Sequence, residues 1–283
     1  MTDAQPDTAA PHLPDPWAKG PIVLNGRLEE EEFPPWLTAI LALFGALVLF
    51  QLVVAPAATI VLLLASGVEL GDVVSTLGRL VTERTRTLLI ANTIGQILAL
   101  ALPTIFIAFL HTRQAGRFLR FRLVDPRLLL LSVAALAGLF PIVQWLGELN
   151  NALPVPDFIR EFEKLMLEPI ERLLREPGML GFNLAMIALT PAICEEILFR
   201  GYVQRQAERS MGIVWGIVFT GVVFGIYHLQ VTKVLPLATL GIFLGYLTWR
   251  TGSLLPAMAV HFANNAIAIL IGTYAATSED LTL

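Results

Sequence analysis

Residues 179–203 read MLGFNLAMIALTPAICEEILFRGYV. About 20 predominantly apolar residues are enough to cross the hydrocarbon core of a bilayer as a helix, and this stretch is long enough to do so. It nevertheless holds three ionisable side chains, Glu195, Glu196 and Arg200, within six positions. Each costs about 2.5–3.5 kcal/mol at the centre of an inserted helix, and such groups turn toward a bundle interior or a water-filled cavity. The stretch therefore predicts a membrane-embedded helix bundle built around a polar site. Taken alone, it leaves catalysis, transport and a structural ion pair equally open.

The rest of the chain supports the membrane reading. It is 55% hydrophobic and 15% charged, with a mean hydropathy of +0.70. A soluble domain carries about 25% charged residues, so there is too little charge here to clothe a water-facing surface. Further apolar runs lie at Trp36–Ala65, Thr87–Leu110, Leu128–Leu149, Ile213–Gln230, Val234–Trp249 and Leu254–Tyr274. Together they predict an all-α, polytopic membrane helix bundle of about seven transmembrane helices. The expected organisation is a flexible acidic, Pro-rich tail (1–35), three N-terminal transmembrane helices (36–149), an amphipathic interfacial segment (150–178), a four-helix unit (179–276) and a short tail (277–283). In the first tail, Glu29–Glu32 reads as a solvated acidic run, and no signal peptide is expected. Within the interfacial segment, Ile159, Phe162, Met166, Ile170 and Leu173 fall at helical spacing. They predict a helix on the membrane surface, kinked at Pro169, that either links or gates.

A net charge of -4 argues against a nucleic-acid partner. The single cysteine, Cys194, excludes an internal disulfide. Two adjacent carboxylates oppose a thiolate there, so it reads as a packing residue. Ten Lys and Arg on the N-terminal side of the spans against eight on the other place the N-terminus in the cytoplasm. The expected location is the cell membrane.

Spacing assigns roles within the fourth span. Glu196 and Arg200 are four apart, share a helix face and can pair. Glu195 is rotated from them by about 100°, and a carboxylate left unpaired in a partly desolvated site can serve as a general base. The other polar residues inside spans are His228, His261, Asn264 and Asn265. If the fourth and fifth spans turn near Ser210, Glu195 and His228 lie about 22 and 27 Å from that face. If the last two turn near Gly252, His261 and Asn265 lie about 14 and 20 Å from it. The four fall in one band near mid-depth.

Glu195–Arg200 (EEILFR), Phe224–His228 (FGIYH) and His261–Asn265 (HFANN) resemble the EExxxR, FxxxH and HxxxN motifs of the CPBP family (CAAX protease and bacteriocin-processing, also called Abi). Thr251–Leu254 resembles its bacterial branch. The resemblance covers roughly Met179–Tyr274 and implies an intramembrane endopeptidase acting on a membrane-associated protein or peptide. Carried over by motif position, Glu195 activates water, and Glu196 and Arg200 support it. His228 orients the water or Glu195 itself, while His261 and Asn265 polarise the scissile carbonyl and hold the oxyanion. Phe224 packs, and Asn264 has no role.

Family members have been described both as metalloproteases and as glutamate proteases. Zinc would take His228, His261 and Glu195 with water in a fourth position. No HExxH pair exists and no supporting partner for the ligands is visible, so the expectation is a glutamate mechanism with no cofactor. Expected partners are the peptide or membrane-anchored protein substrate and membrane lipid. One rival is a non-catalytic immunity or scaffold protein on the same fold. The other is a transporter or proton relay, for which Gln51, Asn92, Gln96 and Gln144 are a meagre pathway through the first three spans. Gly241 and Gly245 form a small-xxx-small pair, within one chain or between chains.

Overall fold

The structure is a computed structural model that describes residues 12–17, 20–77, 79 and 83–280, with side chains to 275. Its longer helices are α1 (Pro35–Ala65), α2 (Thr85–Phe109), α3 (Pro126–Asn151), α4 (Asp157–Arg175), α5 (Leu180–Met211), α6 (Ile213–Tyr227), α7 (Val234–Thr251) and α8 (Leu255–Asp280). Among the described residues six helices are long and apolar enough to cross a membrane, and α6 is a shorter apolar helix. The protein is an all-α integral membrane bundle. Among the described residues the one strand pair joins β1 (His12–Leu13) and β2 (Ile22–Val23).

Local chemistry sets the helix ends. Asp125 caps α3 by accepting from the Arg127 amide at 2.8 Å. Gly212 (φ 80°) and Gly252 (φ 64°) turn the chain after α5 and α7, a backbone region that glycine enters without a Cβ clash. Outward-facing Phe44, Leu52, Phe106, Leu130 and Trp215 are exposed, as a lipid-facing surface requires.

Helix α5 lies at the centre. Ile197–Val203 is buried throughout and packs with α1 and α2 in one apolar core; a second core joins α3 to α7 and α8. The glycines at 221, 225 and 241 bring α6 and α7 into backbone contact. A Cβ on Gly241 would sit 2.8 Å from the Gly221 carbonyl oxygen, and one on Gly225 would sit 2.8 Å from that of Val234. The small-residue pair of α7 is thus used within one chain.

Three expectations change. The 1–35 segment is not a free tail where it is described. Residues 1–11 and 18–19 lie outside the described residues, but Ile22 and Leu24 enter the core. The Gly26 amide donates to the His111 carbonyl at 2.9 Å, and Thr112 Oγ1 donates to the Val23 carbonyl at 2.6 Å. The acidic run is not wholly solvated either: Glu29 is buried against Arg209 and His111. The partners that hold it stand at the ends of α2 and α5, far off in sequence. Finally, α5 runs to Met211 instead of ending near Val203, and α6 stops at Tyr227, which places His228 at its C-cap. Helix α4 is continuous through Pro169. Its buried Glu163 accepts hydrogen bonds from the Thr232 amide and hydroxyl, fastening α4 to the loop after His228.

Candidate active site

The centre of α5 is not a regular α-helix. Wider π-helical turns occupy Leu184–Leu189 and Ile197–Val203, on either side of the Glu195–Glu196 pair; such turns gather at functional sites. Pro191 follows the first of them. Having no N–H, it cannot donate to the Ile187 carbonyl in the α-helical pattern. Asn265 Nδ2 of α8 reaches that carbonyl at 3.3 Å, and the Asn265 oxygen accepts from Asn264 at 3.2 Å.

One turn further along α5, Glu196 and Arg200 pair at 2.7 Å with both side chains 0% exposed. The same oxygen, Glu196 Oε1, meets His261 Nδ1 at 2.8 Å. Arg200 Nη2 donates to the Gly241 carbonyl at 3.0 Å, an oxygen it reaches because α7 carries no side chain there. A buried ion pair needs such added hydrogen bonds to offset desolvation, and Glu196–Arg200 has one from each side.

Glu195 points elsewhere. Its Oε2 is 3.9 Å from His228 Nε2, too far for a direct hydrogen bond and close enough for the two to share a water. At 18% and 26% exposure this pair is the wetter half of the site. Glu195 Oε2 accepts no hydrogen bond from the described residues. His228 Nδ1 lies 2.7 Å from the Phe224 carbonyl oxygen, which can only accept, so Nδ1 carries a hydrogen. In the neutral ring Nε2 then offers a lone pair toward Glu195.

Phe224 joins the two halves. Its ring stands edge-on to His228 at 4.7 Å and to His261 at 5.6 Å, and the Arg200 guanidinium lies 4.3 Å from its centroid, a cation–π distance. Fixing both imidazoles against one aromatic exceeds the packing role that sequence implies, and only the spacing of Phe224 from His228 in the second motif signals it. Cys194 is buried and forms no disulfide.

Six residues singled out by sequence therefore sort into three contacts: Glu196 with Arg200 and His261, Glu195 beside His228, and Asn265 on the backbone of α5. Among the described residues no three His, Cys, Asp or Glu side chains are grouped to hold a metal ion. Both imidazoles spend Nδ1 on the protein and stand on Phe224. The Nδ1 bonds to Glu196 and to the Phe224 carbonyl leave Nε2 as the free nitrogen of each ring.

Comparison with curated proteins and with solved structures returned no match. Residues 177–267, which hold all three motifs, match the family model described as type II CAAX prenyl endopeptidase Rce1-like, so this segment of the chain is similar to the CAAX proteases.

Proposed function

We propose that the protein is an intramembrane endopeptidase that hydrolyses a peptide bond in a membrane-associated protein or peptide. The observation that carries this reading is the division of labour between the two glutamates. Glu196 is locked by Arg200 and His261, which leaves Glu195 unpaired beside the lone pair of His228.

In the proposed reaction a water sits between Glu195 and His228 Nε2. Glu195 takes its proton as the water oxygen bonds to the scissile carbonyl carbon. The carbonyl π electrons move to oxygen, and the resulting oxyanion is met by His261 and the second amide hydrogen of Asn265. With Nδ1 donating to Glu196, His261 offers a hydrogen at Nε2 as imidazolium, which also sets a positive charge beside the oxyanion. When the intermediate collapses, the C–N bond breaks and Glu195 returns the proton to the leaving amine. Glu196 and Arg200 position His261 throughout. The mechanism is of the glutamate type and uses no cofactor.

The test is cleavage of fluorogenic peptides, one of them carrying a prenylated C-terminus, by the full chain in nanodiscs. Glu195→Gln should lower turnover by at least about 100-fold, and a strong chelator should leave the wild type unchanged. Equal rates for the two proteins would remove Glu195 from its role; loss of activity to chelator would overturn the metal-free mechanism.

We further infer a cytoplasmic N-terminus, in the cell membrane, from the basic cluster Arg113–Arg127. Glu30→Cys and Leu153→Cys, on opposite faces, test it in intact cells. A membrane-impermeant maleimide should label only the second, and the reverse pattern would invert the topology.

A further inference from the structure

A cavity of about 460 Å³ opens where the β1–β2 hairpin meets the α2–α3 connector and the ends of α5 and α7. It is separate from the Glu195 site and does not depend on the reading of that site. Five guanidinium groups line it, those of Arg117, Arg120, Arg122, Arg205 and Arg209. Three carboxylates answer them. Asp15 takes Arg117 at 3.0 Å, Glu208 takes Arg120, and Glu29 takes Arg209 at 2.7 Å. Among the described residues Arg205 and Arg122 have no carboxylate in direct contact.

Arg205 is only 8% exposed. Its Nε and Nη2 donate to the carbonyls of Phe118 and Arg117 at 3.0 and 3.3 Å, and among the described residues its Nη1 has no acceptor. Arg122 donates from Nη2 to the Thr251 carbonyl at 2.8 Å and lies 5.4 Å from the Trp17 ring centroid. Its Nε is buried with no acceptor among the described residues. A buried charge without a carboxylate in direct contact is costly, and planar guanidinium groups with free N–H edges suit a phosphate oxyanion.

The cavity's depth narrows the source of that oxyanion. Helix α5 spans 32 residues, about 48 Å against a hydrocarbon core of about 30 Å. Its polar last turns, from Gln204 onward, therefore emerge at headgroup level. Trp17, Phe121 and Trp249 add apolar walls to the basic floor, the side-chain types found at the membrane interface. We infer that this cavity binds the phosphate of an anionic lipid headgroup, with Arg205 and Arg122 as its donors and the aromatic wall against the first carbons of the acyl chains. The bound headgroup would bridge the N-terminal hairpin to α5.

The experiment places the full chain in phosphatidylcholine nanodiscs with and without phosphatidylglycerol and measures Tm, with native mass spectrometry counting retained lipid. Inorganic phosphate is titrated in parallel. Phosphatidylglycerol should raise Tm by about 5 °C or more at saturation, with one anionic lipid retained. Arg122→Gln, at a half-exposed position, should lose the rise and the retained lipid. Arg113→Gln, exposed on the same face outside the cavity, should keep both. Equal Tm in the two lipids for the wild type, or a full rise in Arg122→Gln, would overturn the site. A rise produced by inorganic phosphate and not increased by lipid would overturn the lipid assignment and leave an oxyanion site.

Discussion

At the scale of single residues, Glu196 has the most demanding position. One of its oxygens serves both Arg200 and His261, and all three side chains are buried. Glu196→Gln keeps the shape and removes the charge, stranding the Arg200 guanidinium in the core. Breaking one partner of a buried pair costs about 3–5 kcal/mol, so denaturant unfolding in micelles should show a loss of that size, with turnover falling through a loosened His261. A variant within about 0.5 kcal/mol of wild type, the range of an ordinary surface change, would mean that Arg200 has another counterion. The Glu196–Arg200 contact was legible in the sequence because i,i+4 spacing is a local property of a helix. The His261 contact was not, because it requires α5 and α8 to pack antiparallel at one particular register. Asn265 had a legible cue that a motif reading passes over: Pro191 leaves a carbonyl without its helical donor, and something polar must replace it.

At the scale of elements, hydropathy located the spans well and their ends poorly. Helix α5 continues through the polar turn Gln204–Met211 because helix formation there depends on partners: Arg205, Gln206 and Arg209 each find one across the bundle. Helix α6 ends early at Tyr227, which frees His228 to turn back on the Phe224 carbonyl. The contact of α6 with α7 holds Arg200 indirectly, since its acceptor is the Gly241 carbonyl. Gly241→Ala puts a Cβ 2.8 Å from the Gly221 oxygen and 2.9 Å from its Cα. Both neighbours are backbone, so the helices must separate. Overpacking of this kind costs about 1–3 kcal/mol, and thermal unfolding should register it together with reduced turnover. Gly45→Ala is the control. Its Cβ meets nothing within 4 Å, and alanine in a helix interior should hold stability or raise it by up to about 1 kcal/mol. Equal stability for the two variants would show that α6 and α7 can separate without cost.

At the scale of the whole molecule, the N-terminal segment acts as a clasp across one face of the bundle, and its anchor is titratable. Glu29 receives two hydrogen bonds from Arg209, at 2.7 and 2.8 Å, and stands 2.6 Å from His111 Nδ1. His111 Nε2 continues to the Tyr202 hydroxyl and Gln206 at 2.8 Å each, so the clasp reaches the helix that carries Glu195. Burial by itself pushes the Glu29 carboxyl up. The hydrogen bonds and charges of His111 and Arg209 outweigh it and pull the group down from 4.5 to about 2. A carboxyl whose folded value lies below its unfolded one adds stability above the unfolded value and loses it as the pH falls toward the folded one. The clasp should therefore hold undiminished above pH 4.5 and weaken progressively between pH 4.5 and about 2. Glu29→Gln should lower Tm at neutral pH and flatten its dependence across that window, while limited proteolysis should cut the 12–35 segment sooner. A variant that tracks the wild-type Tm curve through the acid window would show that the segment is held by its backbone bonds to the α2 end, from Gly26 and Leu28, and not by this carboxylate.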